Sequence, residues 1–222
     1  MSDKLLIIIP AFNEETTISN VINDLKKCGF KDILVVDDGS SDQTAYIARN
    51  LQVEVISHIV NIGLGGAIAT GLDFARERGY EHVITFDADG QHKALDAVKI
   101  YRALKENYGD LIIGSRILEL KKRYYIRYLV NCLSNIFTFL LSGALISDSQ
   151  SGLRGFGPRA LKSIYPQTSG YEVSSEIIMI AKNLKLLVFE VPVTACYSDY
   201  SLKKGQKISN LLKVARKLLA IS

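Results

Sequence analysis

Thr85-Phe86-Asp87-Ala88-Asp89-Gly90-Gln91-His92 sets two carboxylates one residue apart at the end of an apolar run. In extended chain, residues i and i+2 point to the same side, so Asp87 and Asp89 can offer both carboxylates to one spot. Gly90 permits a tight turn after them, and Gln91 and His92 add further polar groups. Hard divalent cations take oxygen ligands, and Mg²⁺ is usually held by one or two carboxylates plus substrate phosphates. The pair suits a metal bound together with a diphosphate. The same spelling also occurs in plain acidic loops, so the rest of the chain decides.

A second acidic strand end, Asp37-Asp38-Gly39-Ser40-Ser41-Asp42, follows Ile33–Val36. Ser41 or Asp42 would serve to cap the next helix. Three carboxylates exceed what a cap requires, which leaves acceptors for a ribose or a base edge. Asn61-Ile62-Gly63-Leu64-Gly65-Gly66-Ala67 opens a later helix. Glycines there allow close backbone approach and can expose amides to an anion. The spacing is not a dinucleotide fingerprint, because the third position counted from Gly63 is Ile68 and the segment lies outside the first βα unit. No G-x-x-x-x-G-K-[ST] loop for a nucleoside triphosphate is present. Arginines enter at Gly114-Ser115-Arg116 and in Asp148–Phe156, a polar turn carrying Arg154. Glu176 stands among Ile177, Ile178 and Ile180. Such a charge either sits on an exposed face or meets a cation or substrate.

Alternating strands and helices would position these groups. Leu5–Ile9 reads as a strand buried on both faces and ended by Pro10. Asn13 is a plausible N-cap, with Glu14 and Glu15 in the first turn of a helix running to about Cys28. Strands over Ile33–Val36 and about Val53–Ser57 bracket a helix to about Leu51. A helix from the glycine-containing stretch to about Arg78, the strand ending at Asp87, a helix over about Leu95–Asn107 and a strand over Leu111–Ile113 follow. This βαβαβαβαβ order predicts a mostly parallel α/β sheet flanked by helices. Ligands bind such sheets at the C-terminal ends of the strands, where these polar groups gather. A short helix over Pro158–Ile164, a helix opened by Gly170–Glu176 and ending near Asn183, and a strand over Leu186–Val191 complete the pattern.

Bulk properties are those of a globular protein: 222 residues, 48% hydrophobic and 23% charged. A net charge of +4 is too small to argue for nucleic acid. Cys28, Cys132 and Cys196 form no Cys-x-x-Cys pair and read as reduced thiols. The N-terminus lacks the basic start and long apolar region of a signal peptide. Lys121, Lys122, Arg123 and Arg127 introduce the apolar segment Tyr124–Ile146, whose polar residues form one narrow helical stripe. Its length and polar interruptions favour a helix at a membrane interface, or against a partner helix, over a membrane span; core packing is the plainer alternative. Lys203, Lys204 and Lys207 precede a basic amphipathic stretch, Ile208–Leu219, suited to an anionic lipid surface or, more plainly, to packing on the sheet. The organisation expected is one domain over 1–200, containing an apolar interfacial helix at 121–147, and a C-terminal helix at 201–222.

Read together, the chain resembles glycosyltransferase family 2, with its GT-A, Rossmann-like fold, in the branch of the dolichyl- or polyprenyl-phosphate sugar synthases. The matching stretches are Ile7–Glu15, Val35–Thr44, Asn61–Gly71, Phe86–His92, Gly114–Arg116, Ser151–Phe156 and Gly170–Glu176, in the family order. The resemblance implies that Pro10, Phe12, Glu14, Val36, Asp38 and Ala88 line the nucleoside of a nucleotide-sugar donor. It implies that Asp87 and Asp89, with Gln91 nearby, place Mg²⁺ or Mn²⁺ on the diphosphate. Arg116 would contact phosphate or sugar, Lys204 would close on the diphosphate, and Arg154 and Glu176 fall on the sugar or acceptor side. Three features depart from the family. Ser198 stands where mannosyl synthases carry an arginine, Gly90 replaces a common leucine, and the two C-terminal membrane spans of some members are missing.

What the resemblance implies is an inverting, metal-dependent transfer from a UDP- or GDP-sugar to a polyprenyl or dolichyl phosphate, by a peripheral protein at the cytoplasmic membrane face. A phosphate acceptor is already anionic and needs little proton removal, whereas a hydroxyl acceptor needs a general base within reach. His92 is the one histidine near the acidic loop. The alternatives are transfer to a saccharide hydroxyl in surface-polysaccharide assembly, or a non-catalytic subunit that binds nucleotide sugars. The apolar face of Tyr124–Ile146 could also be shared between subunits of a homo-oligomer.

Overall fold

β1 (Leu5–Ala11) is buried from its second residue to its last, as an apolar run with no polar alternation requires. Its two faces serve different cores. Ile7, Ile9 and Ala11 pack on one side, and Leu6 and Ile8 on the other. The computed structural model describes residues 4–117 and 146–194. The expected interfacial helix at 121–147, apart from its last two residues, and the C-terminal helix at 201–222, with Lys204, lie outside them.

After β1 come α1 (Ile18–Lys27), β2 (Ile33–Asp37), α2 (Thr44–Asn50), β3 (Glu54–Ser57), α3 (Leu64–Glu77) and β4 (His82–Thr85). α4 (Ala94–Lys105), β5 (Leu111–Ser115), β6 (Arg154–Phe156), α5 (Pro158–Ser163), α6 (Val173–Asn183) and β7 (Val188–Pro192) follow. The strands form one sheet in the order β3-β2-β1-β4-β6-β5-β7. All pairings are parallel except those of β6, which runs antiparallel to both β4 and β5. One core lies under α1 and α4, with Ile22, Leu25, Ala97 and Ile100 buried there. The other lies under α3 and α6, with Ile68, Leu72, Ile177 and Ile178. The predicted mostly parallel α/β sheet is the one observed, and its C-terminal edge collects the acidic strand ends.

Two local expectations are corrected. The first helix starts at Ile18 rather than after Asn13. Asn13 takes a left-handed φ of 53°. Its side-chain oxygen accepts from the Ser41 N–H at 2.9 Å, and its own N–H donates to Ser40 Oγ at 2.9 Å. The Glu14 N–H donates to Thr44 Oγ1 at 2.8 Å and the Glu15 N–H to an Asp42 carboxylate oxygen at 3.1 Å. The polar residues that looked like a helix cap instead zip the β1 loop to the β2 loop.

The second correction concerns Asp148–Phe156, expected to be a turn throughout. Its last three residues form β6, inserted between β4 and β5 with Arg154 level with Thr85 and Ile113. Because β6 runs the opposite way, its first residue reaches the edge where its neighbours end.

Candidate functional site

Phe86 leaves the sheet, its N–H donating to the Ile8 carbonyl at 2.9 Å, and Asp87 follows directly. The chain then turns at Ala88 and Asp89, with Gly90 at φ 73°. The two carboxylates come together through this turn rather than through the alternation of an extended strand. Asp87 lies against Gly152, where a Cβ would overlap both of its carboxylate oxygens. The Gly152 carbonyl is fixed in turn by the Thr85 hydroxyl at 2.8 Å. Asp89 accepts from the Gln91 N–H at 3.0 Å and from the Gln91 side-chain amide. Gln91 thus touches the acid pair through Asp89.

The two acids are electrostatically unlike. Burial would raise the Asp87 carboxyl, but the hydrogen bond and charge of His92, with the charges of Arg116 and Arg154, outweigh it and hold the group below the usual range. Burial and the neighbouring charge of Asp87 push Asp89 up to about 6. Two half-accessible carboxylates in mutual repulsion are a donor set that a hard cation relieves, with phosphate oxygens completing its shell. Among the described residues no three His, Cys, Asp or Glu side chains converge as a ready-made cage. The residues present therefore fit an oxygen-liganded cation shared with a ligand, and not a metal enclosed by protein alone.

The arginines arrive from the other side. Arg116 forms a two-pronged ion pair with Asp148, Nε to Oδ2 at 2.8 Å and Nη2 to Oδ1 at 3.0 Å, while its backbone N–H donates to Oδ2 at 3.0 Å. Burial works to raise Asp148, yet the charge and hydrogen bonds of Arg116 leave its carboxyl lowered. Arg154 is wholly buried and donates from Nη2 to the Ser149 carbonyl at 3.3 Å. Its Nε and Nη1 find no acceptor among the described residues. Burial lowers it to about 10, against the upward pull of Asp87 and Asp148, so the guanidinium stays charged at neutral pH. Asp87, Arg116, Arg154 and Asp148 form one cluster.

The histidines are unsuited to act as an open base. His92 has no exposed side-chain surface, lies with Nε2 3.4 Å from Asp87 Oδ2, and packs edge-on to Phe86. His58 bridges Asp38 at 2.7 Å and Thr70 at 3.0 Å. His82 sits at the opposite end of β4, where burial lowers it.

Other predicted residues have partners of their own. Asp38 accepts from the N–H groups of Ile62 and Gly63 at 3.0 and 2.8 Å as well as facing His58. Its carboxylate is no surplus acceptor; it holds the glycine-containing loop to β2. That loop is not an open anion cradle at Gly63 or Gly65. The Gly65 N–H donates to the Ser169 carbonyl at 2.8 Å, and a Cβ at either glycine would strike the backbone of Thr168 or Ser169. The approach these glycines permit is the chain's own. Glu176 secures the same segment, accepting from the Gln167 N–H at 2.7 Å, the Thr168 N–H at 2.9 Å and the Thr168 hydroxyl at 2.5 Å. Glu176 is therefore buried and meets amides and a hydroxyl, neither of the two surroundings expected of it. Val36 and Pro10 are buried side by side in β2 and β1, Ala88 is buried in its loop, and Phe12 is exposed. Glu14 is buried, accepts from the Thr17 hydroxyl at 2.9 Å and lies within electrostatic reach of Asp89. Asp148 and Gly152 had no assigned role in the sequence; a short polar run with no period gave no sign of their contacts.

Residues 6–155 match the model of glycosyl transferase family 2. The chain is 43% identical to an uncharacterized protein of Methanocaldococcus jannaschii, over 98% of this chain and 91% of that one. It is 38% identical to the UDP-N-acetylglucosamine–dolichyl-phosphate N-acetylglucosaminyltransferase of Methanococcus voltae, over 100% of this chain and 97% of that one. A similar solved structure is glucosyl-3-phosphoglycerate synthase of Mycobacterium tuberculosis with Mn²⁺, UDP-glucose and phosphoglyceric acid. Its TM-score is 0.75 at 19% identity, over 99% of this chain and 78% of that one. At that identity the likeness speaks for the fold.

Proposed function

Because the chain belongs to glycosyl transferase family 2 and has its GT-A fold, we propose that it transfers a sugar from a nucleoside diphosphate, UDP in the first instance, to a polyprenyl phosphate. The observation that carries this reading is the meeting of an acid pair with the buried Arg154 and the half-buried Arg116 at one sheet edge. The similarity to the Methanococcus voltae transferase, which is named for UDP-N-acetylglucosamine and dolichyl phosphate, supports both donor and acceptor.

In this reading Asp87 and Asp89, with Gln91 bracing Asp89, hold Mg²⁺ or Mn²⁺. The bound cation would neutralise charge developing on the leaving diphosphate. Arg116 and Lys204 add positive charge to the same group. Pro10, Phe12, Glu14 and Ala88 border the nucleoside, while Val36 and Asp38 act by setting the backbone there. Arg154, whose Nε and Nη1 find no acceptor among the described residues, holds the acceptor side positive. Glu176 shapes the wall at 167–169 and touches no substrate. An oxygen of the acceptor phosphate forms the new bond to the anomeric carbon as the bond to the nucleoside diphosphate breaks, with inversion. An acceptor already ionised suits a site whose nearest histidine, His92, is enclosed. Among the described residues no helix is long and apolar enough to cross a membrane. Contact with the cytoplasmic membrane face is assigned to the sequence segments at 121–147 and 201–222.

The test is transfer from UDP-N-acetylglucosamine, UDP-glucose and GDP-mannose, with and without polyprenyl phosphate, in Mg²⁺ or Mn²⁺. A metal-dependent, phosphate-linked lipid sugar is expected. Transfer only to a saccharide hydroxyl would remove the acceptor assignment, and failure of every donor to bind would remove the whole reading.

A further inference from the structure

We propose that Glu190, on the outer strand β7, is a positioning residue that sets Arg116 through Asp148; the inference rests on the role given to Arg116 above. Glu190 lies level with Ile113 of β5, two residues before Ser115. Its carboxylate accepts from the Ser147 N–H at 2.9 and 3.0 Å, from the Ser147 hydroxyl at 2.7 Å and from the Asp148 N–H at 3.3 Å. Since the Ser147 hydroxyl donates to Glu190, the 2.6 Å contact between Ser147 Oγ and Ser115 Oγ takes its proton from Ser115. Asp148 then receives three donors from Arg116. One carboxylate at the sheet margin thus fixes both the residue before Arg116 and the residue that grips it.

The chemistry requires a carboxylate at 190. Three donors converge on Oε1, and the Ser147 N–H reaches Oε2 as well, so an NH₂ in either place meets a donor. A glutamine has one acceptor oxygen, and its NH₂ would oppose the same N–H groups. Glu190→Gln is close in shape and alters only this. Released from Glu190, the 147–148 turn shifts, and Asp148 carries the guanidinium with it. Misplacement of a charge-stabilising group by about 1 Å costs up to about a hundredfold in rate.

The experiment compares wild type, Glu190→Gln, Arg116→Ala and the double variant in transfer from UDP-N-acetylglucosamine to polyprenyl phosphate with Mn²⁺. The Nε–H resonance of Arg116 is followed in ¹⁵N-labelled full-length protein. Glu190→Gln is expected to lower kcat about 10- to 100-fold, with a smaller change in donor KM. In the Arg116→Ala background the same change is expected to cost less than about twofold, because sites acting through one another are not additive. The Nε–H resonance moves or broadens in Glu190→Gln. Equal losses in both backgrounds, or an unmoved resonance, overturn the proposal. If Arg116→Ala itself leaves transfer intact, the role of Arg116 fails, and the resonance alone decides whether Glu190 sets it.

Discussion

Gly152→Ala adds one methyl group where the Asp87 carboxylate lies. The backbone cannot retreat freely, because the Gly152 carbonyl is held by the buried Thr85 hydroxyl at 2.8 Å and Leu153 beyond it is wholly buried. Restoring van der Waals separation from both carboxylate oxygens demands a displacement of about 1 Å or more. Overpacking of this kind costs about 1–3 kcal/mol, which for a chain of this length lowers Tm by about 2–12 °C. The fold should survive, whereas a ligand moved by that distance should lose up to about a hundredfold in turnover. Circular dichroism and a thermal melt report the first effect; Mn²⁺ titration and transfer kinetics report the second. A folded Gly152→Ala protein with wild-type Mn²⁺ affinity and wild-type turnover would refute the placing of Asp87 at the reacting centre.

Asp89 supplies a pH test. Its folded pKa of about 6 exceeds the ordinary 3.8, so the folded state binds the extra proton between those values. Stability without metal is therefore greatest below about pH 4 in this respect and is lost as pH rises through about 6. Asp89→Asn should remove that slope in melts at pH 5 and pH 7 and raise Tm at pH 7, while abolishing transfer. With metal present the sign reverses: cation affinity should fall as pH drops below about 6, measured by Mn²⁺ titration. Chelation should silence the wild-type enzyme, with Mg²⁺ or Mn²⁺ restoring it. Glu176→Gln leaves at least one of three donors, two of them buried, short of an acceptor and should cost about 1–3 kcal/mol in urea unfolding; an unchanged midpoint would contradict the bonding described.

The sheet was legible because its central parallel strands are continuous apolar runs, and Leu5–Ile9 and Ile33–Val36 are short, rich in β-branched residues and followed by turn residues. The acidic loop at Asp87 and Asp89 was legible because its residues are adjacent in sequence. β6 was not: Arg154-Gly155-Phe156 is too short to show a period, and its pairing depends on strands far away in the chain. Nor were the partners of Asp38 and Glu176. A carboxylate that binds an incoming ligand and one that binds its own chain's amides are spelled alike, and only the three-dimensional arrangement separates them. Asn13 failed for a related reason, since a side chain able to cap a helix can equally accept from another loop.

The reversed strand also orders the assembly of the protein. β4 and β5 lie two places apart in the sheet and never pair, because a strand made some forty residues after β5 sits between them. The half-sheet β3-β2-β1-β4 draws on residues 5–85 alone and presents β4 as an open edge. That edge stays unpaired on a growing chain until residue 156 has been made, and the step that seals it also carries Arg154 inside. Sealing of the β4 edge and burial of the Arg154 charge are thus a single event, and β7 joins β5 only afterwards. A chain cut before Arg154 would keep a sticky half-sheet, and one cut just after Phe156 would hold the charge without β7 and its Glu190 to brace the edge.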